Sequence, residues 1–210
     1  MTPKKARRGA RTGRPRPAAG GSPVPVTVLT GFLGSGKTTV LQSLLVQSWR
    51  SVPRVRVGVV VNDMSELDVD GVVVEETDVV GSGEGTLVTI TGGPLHERIG
   101  ALRAACESLL DRNDLDHLFI ETSGSTRPRS LVTLLTRHPR LRLHGFLTMV
   151  DAAMLRDDLA LGDAIAPRNA AQRAAGVPDL ETLLVEQVRA ASDIYLTKVD
   201  KLTDDQVRHV

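Results

Sequence analysis

The stretch VPVTVLTGFLGSGKTTV, residues 24–40, decides the fold. Its first part, Val24 to Thr30, is a short apolar, β-branched run of the kind that forms a buried strand. Its last part opens a stretch, Thr38 to Trp49, with apolar residues at helical spacing through Val40, Leu41, Leu44 and Leu45. Between them Gly31, Phe32, Leu33, Gly34, Ser35, Gly36, Lys37 and Thr38 match G-x-x-x-x-G-K-[ST] at every fixed position. Glycines let the backbone curl so that successive N–H groups point into one concavity, and the helix that follows adds its positive N-terminal end. Lys37 supplies a point charge for β- and γ-phosphates, and Thr38, with Thr39 beside it, offers a hydroxyl to Mg²⁺. The chain holds five lysines against 21 arginines, yet a lysine stands where a compact ammonium is needed rather than a planar fork. A strand entering and an amphipathic helix leaving make this octet a nucleotide-binding loop rather than an incidental glycine turn.

Outward from that loop the pattern alternates. Arg54 to Val61 begins by alternating and then turns fully apolar, as a strand buried on both faces does. Thr86 to Ile90, Leu118 to Ile120, His144 to Val150 and Ile194 to Leu196 read as further strands. Leu95 to Leu110, Ser130 to Thr136 and Leu180 to Ala191 read as helices. Strands alternating with helices predict a three-layer α/β domain with a mostly parallel sheet, over residues 23–210. Asp70 to Gly85 is less regular, and its Gly-rich end, residues 81–85, reads as a mobile loop outside any strand-to-helix context. Arg168 to Gly176 reads as either helix or loop.

Apolar residues make up 41% of the 210 and charged residues 24%, which excludes a disordered or fibrous chain. No run is long enough to span a bilayer. The five aromatics, Phe32, Trp49, Phe119, Phe146 and Tyr195, are too few for a base-stacking surface, so the core is aliphatic. One cysteine, Cys106, cannot form an internal disulfide, and no signal-peptide apolar segment follows the start. Both points favour a cytoplasmic setting, with Cys106 a buried small hydrophobe in a helix. Residues 1–20 hold seven basic side chains and no acid, so the other 190 residues carry −6 against a whole-chain charge of +1. Residues 1–22 are therefore expected to form a disordered basic tail, either simply solvated or in weak contact with RNA, ribosomes or acidic partners.

Two further segments carry chemistry. Thr197-Lys198-Val199-Asp200 closes the last strand, where the Asp200 carboxylate can accept from both N1–H and N2–H₂ of guanine while the Lys198 stem covers the base. Adenine lacks that donor pair, so GTP is favoured over ATP. In Phe119-Ile120-Glu121-Thr122-Ser123-Gly124, a carboxylate at a strand end can reach the Mg²⁺ shell or its waters, and the Gly124 N–H can meet the γ-phosphate. The hydroxyls of Thr122, Ser123, Ser125 and Thr126 can also cap the helix that follows. Asn62 and Asp63, ending the second strand, either face the site, with Asp63 near the Mg²⁺ shell, or begin a capped turn.

GFLGSGKTT, VVNDMSELDVD, IETSGSTRP, TMVDA and EQVRAASDIYLTKVD, in this order, resemble the GTPase domain of CobW-like proteins, a group related to GTPases that assist nickel insertion into urease and hydrogenase. The resemblance covers about residues 25 to 202. It implies a GTP-dependent metallochaperone with Mg²⁺, commonly Zn²⁺ or Co²⁺, and a metalloprotein client, and it places Asn62 to Asp70 in a switch that senses the γ-phosphate. Two departures stand against the full role. The family usually carries Cys-x-Cys-Cys after the third strand; here Thr91 to His96 hold no cysteine, and His96 with Glu97 cannot replace three thiolates, which argues against Zn²⁺ or Co²⁺. The sequence also stops soon after Asp200, where the family continues with a strand and a C-terminal domain. The expectation is a less covered sheet edge and guanine pocket, in a fragment, a degenerate paralogue or a short form.

The expected activity is slow GTP hydrolysis, with Lys37 and Glu121 as the catalytic residues and no general base assigned. Arg127 and Arg129 read as a solvated helix start rather than as an arginine finger. The alternatives are a GTP-binding regulator without turnover or metal transfer and, against the Thr197–Asp200 motif, a small-molecule P-loop kinase.

Overall fold

In the computed structural model, residues 22–62, 87–112, 115–159 and 180–209 are described. Residues 1–21 of the basic tail, Asp63 to Asp70 of the expected switch, the Gly81–Gly85 loop and the Arg168–Gly176 stretch lie outside them. Among the described residues six strands form one parallel sheet: β1 (Val24–Gly31), β2 (Val57–Asn62), β3 (Leu87–Ile90), β4 (His117–Glu121), β5 (Leu141–Asp151) and β6 (Asp193–Thr197). Their order is β3-β2-β4-β1-β5-β6, so β1 lies between β4 and β5 and its carboxyl end opens near the middle of the sheet edge. The register sets Leu29 beside both Glu121 and Leu147, and Gly31 beside Met149.

Among the described residues the helices are α1 (Lys37–Arg50), α2 (Ile99–Arg112), α3 (Pro128–Arg137), α4 (Ala152–Leu159), α5 (Leu180–Ala190) and α6 (Asp204–His209), with a 3₁₀ turn at Val199–Lys201. Alternation along the buried strands sorts the core into two layers. Val26, Val28, Val60, Leu118 and Ile120 face α2 and α3, where they meet Leu102, Leu109, Leu131 and Leu135. Leu29, Val59, Phe119 and Met149 face the other way, onto Leu41 and Leu45 of α1. Phe32, Val150, Leu155, Leu183 and Leu184 gather α4 and α5 in a third cluster beside the phosphate loop. Each sequence-expected strand and helix is present. Helix α2, however, begins at Ile99 rather than Leu95, because residues 95–97 form a turn first. Helices α4 and α6 are additions that short apolar spacing did not signal.

Cys106 is fully buried in the α2–α3 layer, and burial, first of all, pushes its thiol up to about 12. It packs as a small hydrophobe, as expected. Edge strand β6 leaves Ile194 and Tyr195 about half exposed, at 50% and 49%.

At the opposite end of the sheet from the phosphate loop, His117 pairs through Nε2 with Thr27 Oγ1 at 2.8 Å and meets the His144 ring edge-on. Burial, then the charges of His144 and Arg142, lower its pKa to about 4. An unfolded histidine titrates near 6.5. The unfolded chain therefore binds the extra proton first, so the contribution of neutral His117 is complete above pH ~6.5 and lost as pH falls toward 4. The urea midpoint should fall over that window, and H117Q should flatten this part of the slope.

Candidate nucleotide site

The site is built where β1 gives way to α1. Gly31 and Gly36 adopt φ of +129° and +90°, which side chains of L-residues rarely tolerate. A Cβ on Gly31 would lie 2.2 Å from the Met149 carbonyl oxygen, so strand β5 itself requires glycine there. The loop curls around the Lys37 side chain, whose Nζ donates to Gly31 O at 2.8 Å and Phe32 O at 2.9 Å. Lys37 is buried, and desolvation lowers its pKa while Glu121 partly opposes the shift. Ser35 Oγ is buried in the same loop without a hydrogen-bond partner among the described residues. Leu33, by contrast, stands at the tip of the loop, 93% exposed.

Thr38, the first exposed hydroxyl of α1, donates to Glu121 Oε1 at 2.6 Å. This hydroxyl–carboxylate pair, brought together by the β1–β4 pairing, is the hard oxygen set that suits Mg²⁺. Gly124 packs directly on the loop: a Cβ there would lie 2.7 Å from Leu33 N. Thr122 Oγ1 donates to Thr30 Oγ1 at 3.0 Å, tying the strand ends together.

The hydroxyl cluster after Glu121 does not cap α3. The N-cap is Arg127, with no side-chain cap bond. Thr126 Oγ1 instead accepts from Leu95 N at 3.3 Å and contacts Ser123 Oγ at 2.9 Å. These side chains join neighbouring segments rather than end a helix. Asn62 is equally occupied: its Nδ2 donates to Ile90 O and Gly93 O, and its Oδ1 accepts from Ser123 N at 3.2 Å. It therefore clamps β2, the turn after β3 and the Glu121–Gly124 segment from within, at 6% exposure. Arg127 is no solvated helix start either, since its Nη1 donates to Glu186 Oε1 on α5 and its N–H to His96 Nδ1.

The second part of the site comes from β5 and β6. Thr197 Oγ1 donates to Ser35 O at 3.0 Å, and a Cβ on Gly36 would sit 3.7 Å from the Thr197 methyl. Lys198 has φ 55° and its Nζ pairs with Asp151 Oδ2. Asp151 also accepts from the N–H groups of Ala153 and Met154, capping α4. Burial raises its pKa, but the bond to Lys198 and those two amides outweigh it, leaving a net lowering. Asp200 lies in the exposed 3₁₀ turn beside this pair. The structure thus brings together Gly31 to Thr39, Glu121, Gly124 and Thr197 to Asp200, all at one end of the sheet.

Two residues escaped sequence reasoning. Asp151 was visible only as part of TMVDA, and its partner lies 47 positions away. Gln187 is fully buried on α5, and its Nε2 donates to the carbonyls of Gly124 and Thr126, both at 3.2 Å. Its Oε1 has no partner among the described residues. An otherwise amphipathic helix carrying a glutamine on its buried face was the available signal.

An α/β P-loop fold with these residues at its nucleotide end defines a P-loop GTPase-type nucleotide-binding domain. The chain belongs to the CobW/HypB/UreG family, whose nucleotide-binding domain it matches over residues 25–210. It is 31% identical to the zinc chaperone CobW of Sinorhizobium sp over 188 residues, covering 84% of this chain and 51% of that protein. It is also 31% identical to the zinc chaperone YjiA of Escherichia coli over 198 residues, covering 90% and 53%. The crystal structure of Zn(II)-bound YjiA GTPase from E. coli shares the fold at a TM-score of 0.50 and 23% identity, covering 90% of this chain and 53% of that one. The chain thus spans about half the length of the curated relatives it matches. Their zinc-chaperone names lend no support to the expectation against zinc, which rests on the missing cysteines of residues 91–96. Among the described residues no three His, Cys, Asp or Glu side chains are grouped to hold a metal ion. Nor is any described helix long and apolar enough to cross a membrane. The relatives' names give no support to the nucleic-acid contact expected of the tail.

Gln187 generates a stability prediction. Replacing it with Met keeps the volume but strands two carbonyls, so Q187M should cost about 2–3 kcal/mol in urea unfolding. A loss below about 0.5 kcal/mol would show that these bonds contribute little.

Proposed function

We propose that this domain binds GTP with Mg²⁺, hydrolyses it slowly, and acts as a zinc-handling switch toward a metalloprotein client. The observation that carries the reading is the hydrogen bond between Thr197 and Ser35, because it sets the base-reading motif directly against the phosphate loop. A nucleotide whose phosphates lie on residues 31–38 then has its base at residues 197–200. There Asp200 accepts from guanine N1–H and N2–H₂, and Lys198, held by Asp151, lays its stem along the ring.

At the other end of the nucleotide, Lys37 already uses two of its three ammonium protons on loop carbonyls. The β- and γ-phosphate oxygens are the partners for its remaining bonding capacity, in a setting where burial strengthens the attraction. Thr38 and Glu121 would hold Mg²⁺, which when bound supplies neutralisation of the phosphate oxygens. Glu121, buried at the end of β4, also orients the water that attacks the γ-phosphorus. Gly124, in contact with the loop backbone, offers its N–H to the γ-phosphate, and Gln187 fixes the orientation of its carbonyl. No arginine is assigned to the transition state, since Arg127 is engaged by Glu186, and a low turnover follows.

Zinc enters this reading as cargo, on the strength of the relatives' names and without a ligand set. The competing reading, a GTP-binding regulator without metal transfer, is favoured by the cysteine-free 91–96 stretch. A titration with a fluorescent GTP analogue in Mg²⁺, with and without Zn²⁺, separates the two. A Zn²⁺-dependent change in affinity supports the zinc-handling switch, and indifference to Zn²⁺ supports the regulator. D200N should weaken GTP binding by at least about tenfold while sparing xanthosine triphosphate, since each 1.4 kcal/mol of lost hydrogen bonding is one decade. Equal losses for both nucleotides would sink the guanine assignment.

A further inference from the structure

Several arginines of the described surface are matched by carboxylates, as Arg56 is by Asp116, Arg140 by Glu107 and Asp111, and Arg208 by Asp205. Others are not, and three of those, Arg103, Arg129 and Arg137, line one groove. Between α2 and α3 runs an open cleft of about 580 Å³. Its floor includes Ile99 of α2 and Leu134 of α3, and its rims carry Arg103, Arg129 and Arg137. All three arginines are exposed and have no ion-pair partner among the described residues. Arg129, Thr133 and Arg137 follow each other at four-residue steps, which places them in one row along α3, while Ile99 and Arg103 share a face of α2 in the same way. At one end of the cleft lie His96 and the already paired Arg127.

The spacing decides what such a surface fits. Arg129 and Arg137 are eight residues apart, about 12 Å along the helix axis, a distance no single phosphate or carboxylate bridges. No Phe, Tyr or Trp lines the groove, and its one imidazole, His96, is held by Arg127 N at one end, which disfavours a stacked run of single-stranded bases. An apolar floor between guanidinium rows suits a segment that carries apolar side chains on one stripe and carboxylates beside it. The charges are exposed, so each pair alone contributes little, and the apolar contact must add to them.

We infer that the groove between α2 and α3 is a docking surface for an acidic, amphipathic segment of a partner protein. Its apolar residues lie on Ile99 and Leu134, and its carboxylates engage Arg103, Arg129 and Arg137. Two hydrogen bonds, Leu95 N to Thr126 Oγ1 and Arg127 N to His96 Nδ1, hold the end of this surface to the segment that follows Glu121. The inference goes beyond the nucleotide reading and does not require it.

The test uses the nucleotide-free full chain and a labelled synthetic peptide in which Leu recurs at helical spacing among Glu and Ala. A second peptide has Lys in place of every Glu. Fluorescence anisotropy at low salt should show saturable binding of the Glu peptide, weakened by added salt, and none of the Lys peptide. The double variant R103E/R137E should lose at least about tenfold in affinity, while L134A should weaken binding without altering its salt dependence. Melting temperature and fluorescent GTP-analogue binding, measured on each variant, separate a groove effect from misfolding. Absence of saturable Glu-peptide binding, or binding unchanged by R103E/R137E, overturns the proposal. Tighter capture of an oligothymidylate that the same double variant abolishes would also overturn it, by assigning the groove to nucleic acid. Failure of the nucleotide reading would instead appear as loss of GTP-analogue binding in the wild-type chain, with peptide binding intact.

Discussion

A buried ammonium is the constraint on which much of this molecule turns. Lys37 sits at the start of α1 with little contact to water, and its positive charge costs free energy there unless oxygen atoms surround it. The Gly31 and Phe32 carbonyls supply them, and they point inward only because the loop takes backbone angles that glycines permit. Gly31 is constrained twice, by its positive φ and by the Met149 carbonyl of the neighbouring strand. The phosphate loop is therefore shaped as much by β5 as by its own sequence.

From that point the parallel sheet distributes the remaining chemistry. Pairing of β1 with β4 brings Glu121 to the Thr38 hydroxyl, and pairing of β5 with β6 brings Thr197 up to Ser35. Each contact spans a long interval of chain, yet each follows from one register. Behind these groups a buried polar network of Asn62, Ser123, Thr126 and Gln187 holds the segment after Glu121 between β2, the turn before α2, and α5. The bonds it makes favour one arrangement, because breaking any of them leaves a buried polar group unmatched. At the surface Arg127 fastens the start of α3 to Glu186 of α5, whereas Arg103, Arg129 and Arg137, along the same groove, have no answering acid among the described residues.

Much of the architecture was legible in local pattern. The strand periods, the Gly-rich octet and the Thr197–Asp200 motif are short-range signals; the first set the sheet, and the other two meet at one end of it. Two kinds of residue were read less well. Asn62 and the hydroxyls of Thr122 to Thr126 looked like helix caps or ligands, since such side chains do either in a local context. In the fold they cross-link strands and turns that lie tens of residues apart. Gln187 and Asp151 were not singled out, because one glutamine on the buried face of an amphipathic helix is a faint signal and a carboxylate held by a lysine 47 positions away has no local one.

What the sequence alone determined is what depends on neighbours along the chain: backbone freedom at the glycines, apolar period, and the identity of the polar groups available at the end of the sheet. The tertiary structure alone decided which distant partners those groups meet. It turned Asn62 inward, engaged Arg127 with Glu186, set Asp151 against Lys198 and brought Arg103 of α2 and the Arg129–Arg137 row of α3 to one groove. The reason is physical: hydrogen bonds and ion pairs are short-ranged, and only the sheet register and helix packing bring their ends within reach.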